Sequence, residues 1–384
     1  MKITIVLGPQ WALPPAGFGA VEKVWVALAQ ALAQRGHEVC VIGKGAGEQG
    51  ERRLPSGVRV IERKGIRASG RLWLDLCRDF FYALGVLIVI PRSDVVVCNC
   101  FSLPILLTPL RRIKGRIVVH VARYPKGQMG LYRGADALQA VSNVVARAIV
   151  EQSPQLKGKV VVIGNPVDTD LYFPPNEGRR LDARPLILFV GRLHPEKGVH
   201  VLVEAFRLIR ARIPGARLKL IGPSAEALGG GGDAYFSMLK SSADGLGVEF
   251  APAISNAEEL ARAYQLANCF CYPTLAAKGE ASPLAVLEAM ATGLPCVVPD
   301  LQCFADYLTP GLDGVVYDPT ATAPALALSE ALFSVIGDSG RAAELGRMAR
   351  RRAEQFGIPN IADKYLELFA KVLRSEVAGK GDGL

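Results

Sequence analysis

Apolar residues follow two alternating rhythms along this chain. Short, nearly unbroken apolar runs are followed by longer stretches in which apolar residues return every three or four positions. The first rhythm belongs to strands buried on both faces, the second to helices packed along one side. Runs occur at 2–7, 37–42, 58–61, 94–98, 116–121, 136–141 and 160–163. A second series occurs at 185–190, 218–221, 248–250, 268–272, 296–298 and 314–317. Between the runs, Val21, Val24, Leu28 and Leu32 mark one helix that stops at Gly36. Val199, Leu202, Phe206 and Ile209 mark another. Strands alternating with helices predict parallel sheets, hence an α/β protein.

The two series are separated by residues 166–184, rich in Pro, Asp, Asn and Arg, which read as a linker. The pattern predicts two Rossmann-like domains with a cleft between them, over 1–165 and 185–355. Residues 356–384 form a closing segment. Its helix is expected near 361–373, with Ile361, Tyr365, Leu368 and Val372 on one face, and its Gly/Lys/Asp tail reads as flexible. A length of 384 residues suits two domains. The longest apolar run, 80–90, is too short to cross a bilayer and reads as a buried helix. Four successive glycines, 229–232, read as a flexible loop.

Charge and cysteine content narrow the classes. The formal net charge is +9, with basic clusters at 111–116 and 350–352. Such clusters suit a solvated surface or an attraction to anionic lipid headgroups and acidic glycans. No nucleic-acid module is visible. None of the eight cysteines forms a C-x-x-C pair. Cys98 with Cys100, and Cys269 with Cys271, sit in apolar runs and read as small buried thiols. Residues 1–7 are too short for a secretory leader and read as a first strand, which favours a reducing cytoplasm.

The stretch around which the chemistry gathers begins Lys278-Gly279-Glu280-Ala281-Ser282-Pro283-Leu284 and continues through Glu288 to Thr292-Gly293. Ser282 suits a helix cap and Pro283 the first helical position. Val286, Leu287 and Met290 form a buried stripe. Side chains on a helix lean toward its N-terminus, so Glu280 and Glu288 both look toward the same loop-helix junction. An N-terminal helix end also attracts anions. Two carboxylates beside an anion seat suit a ligand with sugar hydroxyls and phosphate. Alone, two glutamates eight residues apart read as solvated surface acids. The flanking strand patterns at 268–272 and 296–298 place them instead where α/β sheets bind ligands.

This stretch resembles the E-x7-E signature of retaining glycosyltransferases with the GT-B fold, in the large family four of that class. It departs from many relatives in having Ser282-Pro283 where they have Phe-Gly. A second segment, Gly191-Arg192-Leu193-His194-Pro195-Glu196-Lys197-Gly198, lies between the strand at 185–190 and the helix after it. Arg192 and Lys197 on that loop form a candidate diphosphate clamp. It is similar to the G-R-L-x-x-x-K-G motif of the same family, whose Arg and Lys bind the donor's pyrophosphate.

The resemblance implies further roles. Gly17 and Gly19 let the first loop approach donor phosphate and acceptor, although Gly17-Phe18-Gly19 fails as a dinucleotide fingerprint. Gly222 belongs to a glycine loop near the nucleotide. His120 touches the sugar near the reacting carbon. Glu288 holds the ribose hydroxyls and Glu280 the donor sugar's hydroxyls, with Ser282, Pro283 and Leu284 beside them. Glu280, His120, Arg192 and Lys197 are the residues expected to carry catalysis. The last helix crosses back onto the first domain. Asp136 and Ser142 read as structural. Asp168-Thr169-Asp170 looks like a metal-binding D-x-D but lies in the linker, where Asx residues make turns, and no metal or other cofactor is expected. The expected activity is a retaining transfer from a nucleotide-diphosphate sugar to a glycan or lipid-linked acceptor, in cell-envelope polysaccharide or glycolipid synthesis. Peripheral contact with an anionic membrane is expected too. A non-catalytic nucleotide-sugar-binding protein, or a hydrolase or epimerase on this fold, are the alternatives.

Overall fold

The computed structural model describes residues 1–13, 19–45, 47, 50–66, 69–175 and 184–378, with side chains to 374. Gly17 and the tail beyond 378 lie outside the described residues. The chain divides into two compact units, Met1–Pro166 with Ile358–Leu384, and Val167–Gly357.

In chain order the first unit contains β1 (Lys2–Val6), β2 (Ala12–Leu13), α1 (Ala20–Gln34), β3 (Glu38–Gly45), β4 (Gly50–Arg53) and β5 (Arg59–Arg63). There follow α2 (Leu72–Val89), β6 (Val95–Cys98), α3 (Leu103–Leu107), α4 (Arg111–Lys114), β7 (Arg116–Val121), β8 (Ala137–Ala140), α5 (Asn143–Gln152) and β9 (Val160–Val162). The sheet order is β4-β5-β3-β1-β6-β7-β8-β9, with β2 pairing β3. All pairings are parallel except β4 on β5. The edge strand β4 and the two-residue β2 are polar or too short to show in the apolar rhythm. Asp136 accepts from Ile117 N–H at 2.8 Å and Ser142 caps α5, so both are structural.

The terminal helix, Ile358–Ala378, packs on α1. Tyr365 is buried against the Trp25 ring, centroids 4.9 Å apart, and its hydroxyl donates to Gln139 at 2.8 Å.

The second unit contains β10 (Leu186–Val190), α6 (Val199–Arg212), β11 (Arg217–Ile221), α7 (Gly232–Ser242), β12 (Val248–Ala251) and α8 (Ala257–Leu266). It continues with β13 (Cys269–Cys271), α9 (Leu284–Ala291), β14 (Cys296–Pro299), β15 (Val315–Tyr317), α10 (Pro324–Ile336) and α11 (Ser339–Glu354); the terminal helix is α12. Its six strands are all parallel, in the order β12-β11-β10-β13-β14-β15. Numbered within the unit, that is 3-2-1-4-5-6. The connections reverse direction between β10 and β13, and ligands of such sheets bind outside the strand ends at that reversal.

Three expectations are corrected here. The run 80–90 belongs to a helix, but only its inner side is buried: Phe80, Phe81 and Ile88 are exposed. The glycines 229–232 are not loose. The N–H groups of Gly230, Gly231 and Gly232 donate to Ala225, Leu193 and Ser224 carbonyls at 2.8–2.9 Å. The cluster 350–352 is not simply a solvated basic surface. Arg350 donates to the carbonyls of Thr169, Tyr172 and Ala291, and Arg352 to those of Asp306 and Tyr307.

Candidate functional site

Two loops leave the strands that flank the reversal in the second unit. The loop after β10 carries Arg192 and Lys197; the loop after β13 carries Glu280. Close packing on the loop after β10, by the loop after β11 and by the one after β13, demands glycine at two points. A Cβ on Gly222 would lie 1.8 Å from the Gly191 carbonyl oxygen, and φ there is +153°. One on Gly198, at φ +65°, would lie 2.0 Å from the Pro273 oxygen.

Lys197 and Glu280 form a buried ion pair, each 6% exposed. Glu280 Oε1 also accepts from the hydroxyls of Tyr272 at 3.1 Å and Thr274 at 3.2 Å. Burial and the Glu280 carboxylate push the Tyr272 phenol pKa upward, so that it stays a donor. The Tyr272 ring lies nearly parallel to those of Phe189 and Phe270, with centroids 5.9 and 6.3 Å away, and Lys197 Nζ lies 5.6 Å from its centroid. Among the described residues, every side-chain hydrogen bond to Glu280 ends on Oε1. Oε2 accepts none of them.

Arg192 is more open. Its Nη1 donates to the Gly229 carbonyl at 2.8 Å and its Nη2 to Glu196 Oε1 at 2.6 Å. The same Glu196 oxygen stands 4.0 Å from Lys197 Nζ. The glycine turn thus holds one cation of the clamp, and Glu196 bridges both. Gly229 lies 37 residues from Arg192 and Glu280 83 residues from Lys197, so no local motif announces those two contacts.

The helix α9 starts later than its sequence suggests. Pro283 takes the cap position, extended at φ −70° and ψ 116°, without a side-chain cap bond. Ser282 precedes the cap, and Leu284 is the first helical residue. The boundary moves because Pro283 itself is extended at ψ 116°, so the first helical residue is the one after it. Glu288 lies on α9, half-buried, where Oε2 accepts from the Tyr264 hydroxyl at 2.9 Å. Asp168 is used as a turn residue: its Oδ1 accepts from the N–H groups of Asp170 and Leu171 at 3.1 and 3.0 Å.

In the first unit, Gly19 caps α1 with φ +100°. His120 is the penultimate residue of β7 and is buried. Its Nδ1 meets Gln139 Oε1, while Gln139 Nε2 donates to the Ile163 carbonyl at 2.6 Å. That arrangement orients the amide and assigns the proton to Nδ1, leaving Nε2 as an acceptor. Trp25 stands edge-on to the imidazole at 5.3 Å. Burial strips hydration from the cation and pushes the His120 pKa down to about 4, against the upward pull of Gln139.

The folded pKa is therefore below the ordinary 6.5 of the unfolded chain. Stability from keeping His120 neutral is complete above about pH 6.5 and is lost as pH falls toward 4. Calorimetric melting between pH 7 and 4 is expected to show this decline and to show it flattened in His120→Gln. An equal acid slope in parent and variant would contradict it.

Residues 175–352 match the family described as Glycosyl transferases group 1, and residues 21–171 match Glycosyltransferase Family 4. The chain belongs to this glycosyltransferase family. A D-inositol 3-phosphate glycosyltransferase from Streptomyces avermitilis is 29% identical over 264 residues, covering 65% of this chain and 54% of the relative. The chain thus spans about half the length of that relative. Spore coat protein SA from Bacillus subtilis is 24% identical over 400 residues, covering 97% of this chain and all of that protein. The GT-B fold is shared with sucrose-phosphate synthase from Thermosynechococcus elongatus, at TM-score 0.79 and 20% identity, over 98% of this chain and 100% of that one. It is shared too with Anabaena HepE in complex with UDP and glucose, at TM-score 0.72 and 18% identity, over 96% and 99%.

Proposed function

We propose that this protein is a retaining, metal-independent glycosyltransferase. It takes a nucleotide-diphosphate sugar and transfers the sugar to a hydroxyl of a glycan or lipid-linked acceptor in cell-envelope polysaccharide or glycolipid synthesis. One observation carries the reading: Arg192, Lys197 and Glu280 converge at the strand ends where the second sheet reverses, in a single cluster of hydrogen bonds and ion pairs bridged by Glu196. Fixed cations there stabilise the charge that develops on a departing diphosphate. Glu280 Oε2 receives hydroxyls of the transferred sugar, and Glu288 those of the ribose. The acceptor oxygen attacks the face the diphosphate leaves, and its proton passes to a diphosphate oxygen. His120, neutral, accepts a sugar hydroxyl at Nε2. Metal independence is supported by the cationic clamp and by the use of Asp168 as a turn.

The test is a panel of uridine-, guanosine-, adenosine- and thymidine-diphosphate sugars. Thermal shift finds the donor, and release of nucleotide diphosphate is then followed with acceptor and a chelator. One base is expected to stabilise the protein, with release that needs acceptor and persists in chelator. Arg192→Ala is expected to weaken diphosphate affinity roughly 10- to 100-fold, the worth of a charged hydrogen bond. Donor binding without release marks a non-catalytic binding protein. Release without acceptor marks a hydrolase. A loss in chelator that manganese restores ends the metal-independent reading.

A further inference from the structure

We propose that the outer side of α2 docks this protein on an anionic lipid bilayer. Trp73, Phe81 and Ile88 are 65%, 70% and 82% exposed. At about 100° per residue they lie on one stripe with Phe80 and the exposed Cys77. The buried side is opposite, and it carries the polar anchors. Asp79 accepts from Ser102 N–H at 2.7 Å, and Tyr82 donates to the Leu7 carbonyl at 3.2 Å. A helix that faces water has its apolar side inward. This one shows large apolar side chains outward, as helices lying in a membrane interface do. Among the described residues no helix is long and apolar enough to cross a membrane. Neighbouring elements expose apolar side chains as well. Ile105 on α3 and Ile113 on α4 are exposed, and Lys114 at the end of α4 donates to the Ile90 carbonyl at 2.8 Å.

Charge selects the occupant. Residues 63–116 hold ten Lys and Arg against three Asp. Of those acids Asp79 is buried and Asp94 accepts from the Lys2 N–H. Arg71, Arg92 and Arg112 are exposed around the apolar face. A second copy of the chain would set these cations against one another. A sheet of lipid phosphates neutralises them, each cation near such a surface being worth about 1 kcal/mol. Tyr82 and Asp79 fasten α2 beside the carboxyl ends of β1 and β6, at the strand-end rim of the first unit. The docking stands on the exposed face and the cations around it, independent of any activity. That the bilayer presents the acceptor rests on the transferase reading above, which this makes specific to a membrane-borne acceptor.

The experiment is flotation of the full chain with vesicles of phosphatidylcholine alone and of phosphatidylcholine mixed equally with phosphatidylglycerol. The parent is expected to float with the anionic vesicles and much less with the neutral ones. The triple variant Trp73→Ser, Phe81→Ser, Ile88→Ser is expected to lose roughly tenfold or more of its binding. Arg111→Glu with Arg112→Glu is expected to lose roughly tenfold or more on anionic vesicles. Parental melting curves show that each variant is folded. Failure of the parent to float, or equal flotation of parent and triple variant, overturns the proposal. So does a parental dimer that the triple variant converts to monomer while neither floats, since the face then belongs to a second copy. Turnover with a water-soluble acceptor is read in parallel. Flotation without turnover in any of the three proteins leaves the docking standing and removes the transferase reading.

Discussion

Lys197→Met is expected to destabilise the second unit by about 3–5 kcal/mol, and Lys197→Met combined with Glu280→Gln to recover most of that loss. The pair is buried, and removing the lysine leaves a carboxylate inside with, among the described residues, only two hydroxyl partners. An uncompensated buried charge carries that cost, whereas replacing both charges is often close to neutral. The second unit is of a size for which this corresponds to a fall of roughly 6–20 °C in melting temperature. In the double variant, the introduced amide can still accept from Tyr272 and Thr274, and the introduced thioether chain fills the place beside the Tyr272 ring. Both variants are expected to lose turnover, since the clamp has lost a cation. Thermal melting of the two single variants and the double variant measures the coupling. A double variant that melts no higher than Lys197→Met would show that burial of the charge is not the cause.

The two glutamates are expected to separate in a binding and kinetic comparison. Glu288→Gln weakens affinity for the free nucleotide diphosphate, because its proposed contact is to the ribose. Glu280→Gln leaves that affinity intact or raises it, since it removes a negative charge from beside Lys197. It lowers turnover instead, by roughly 10- to 150-fold if one charged hydrogen bond to the reacting sugar is lost. An interaction made mainly in the transition state lowers kcat without raising KM. Calorimetry with the diphosphate and steady-state kinetics with the donor read the two effects. Equal loss of diphosphate affinity in both variants, or normal turnover in Glu280→Gln, would reassign the roles.

How far the sequence was readable depended on whether an interaction was local. The strand-helix rhythm located 13 of the 15 described strands, and it missed the short β2 and the polar edge strand β4. Lys197 and Glu280 were each found from a loop-helix motif. Their pairing was not, because it is created by the 3-2-1-4-5-6 order that sets β10 next to β13. Tyr272 looked like one more buried strand residue; its hydroxyl acquires a purpose only once Glu280 folds over it. An apolar stretch such as 80–90 does not say which side meets the protein. Asp79 and Tyr82, polar enough to suggest solvent, are the residues that face inward. Arg350 shows the converse, a cation drawn inward by three carbonyl oxygens.

The return of α12 to the first unit has a consequence for synthesis on the ribosome. The first unit is assembled from two stretches of chain, with the whole of the second unit made between them. At about 5–20 residues per second, translation of Val167–Gly357 occupies roughly 10–40 s. Throughout that interval the nascent first unit lacks Tyr365 against Trp25 and the hydroxyl that reaches Gln139. The second unit is continuous in sequence and can close first. The earlier-made half is therefore the later to mature, and it is the one that waits with apolar surface open to chaperones.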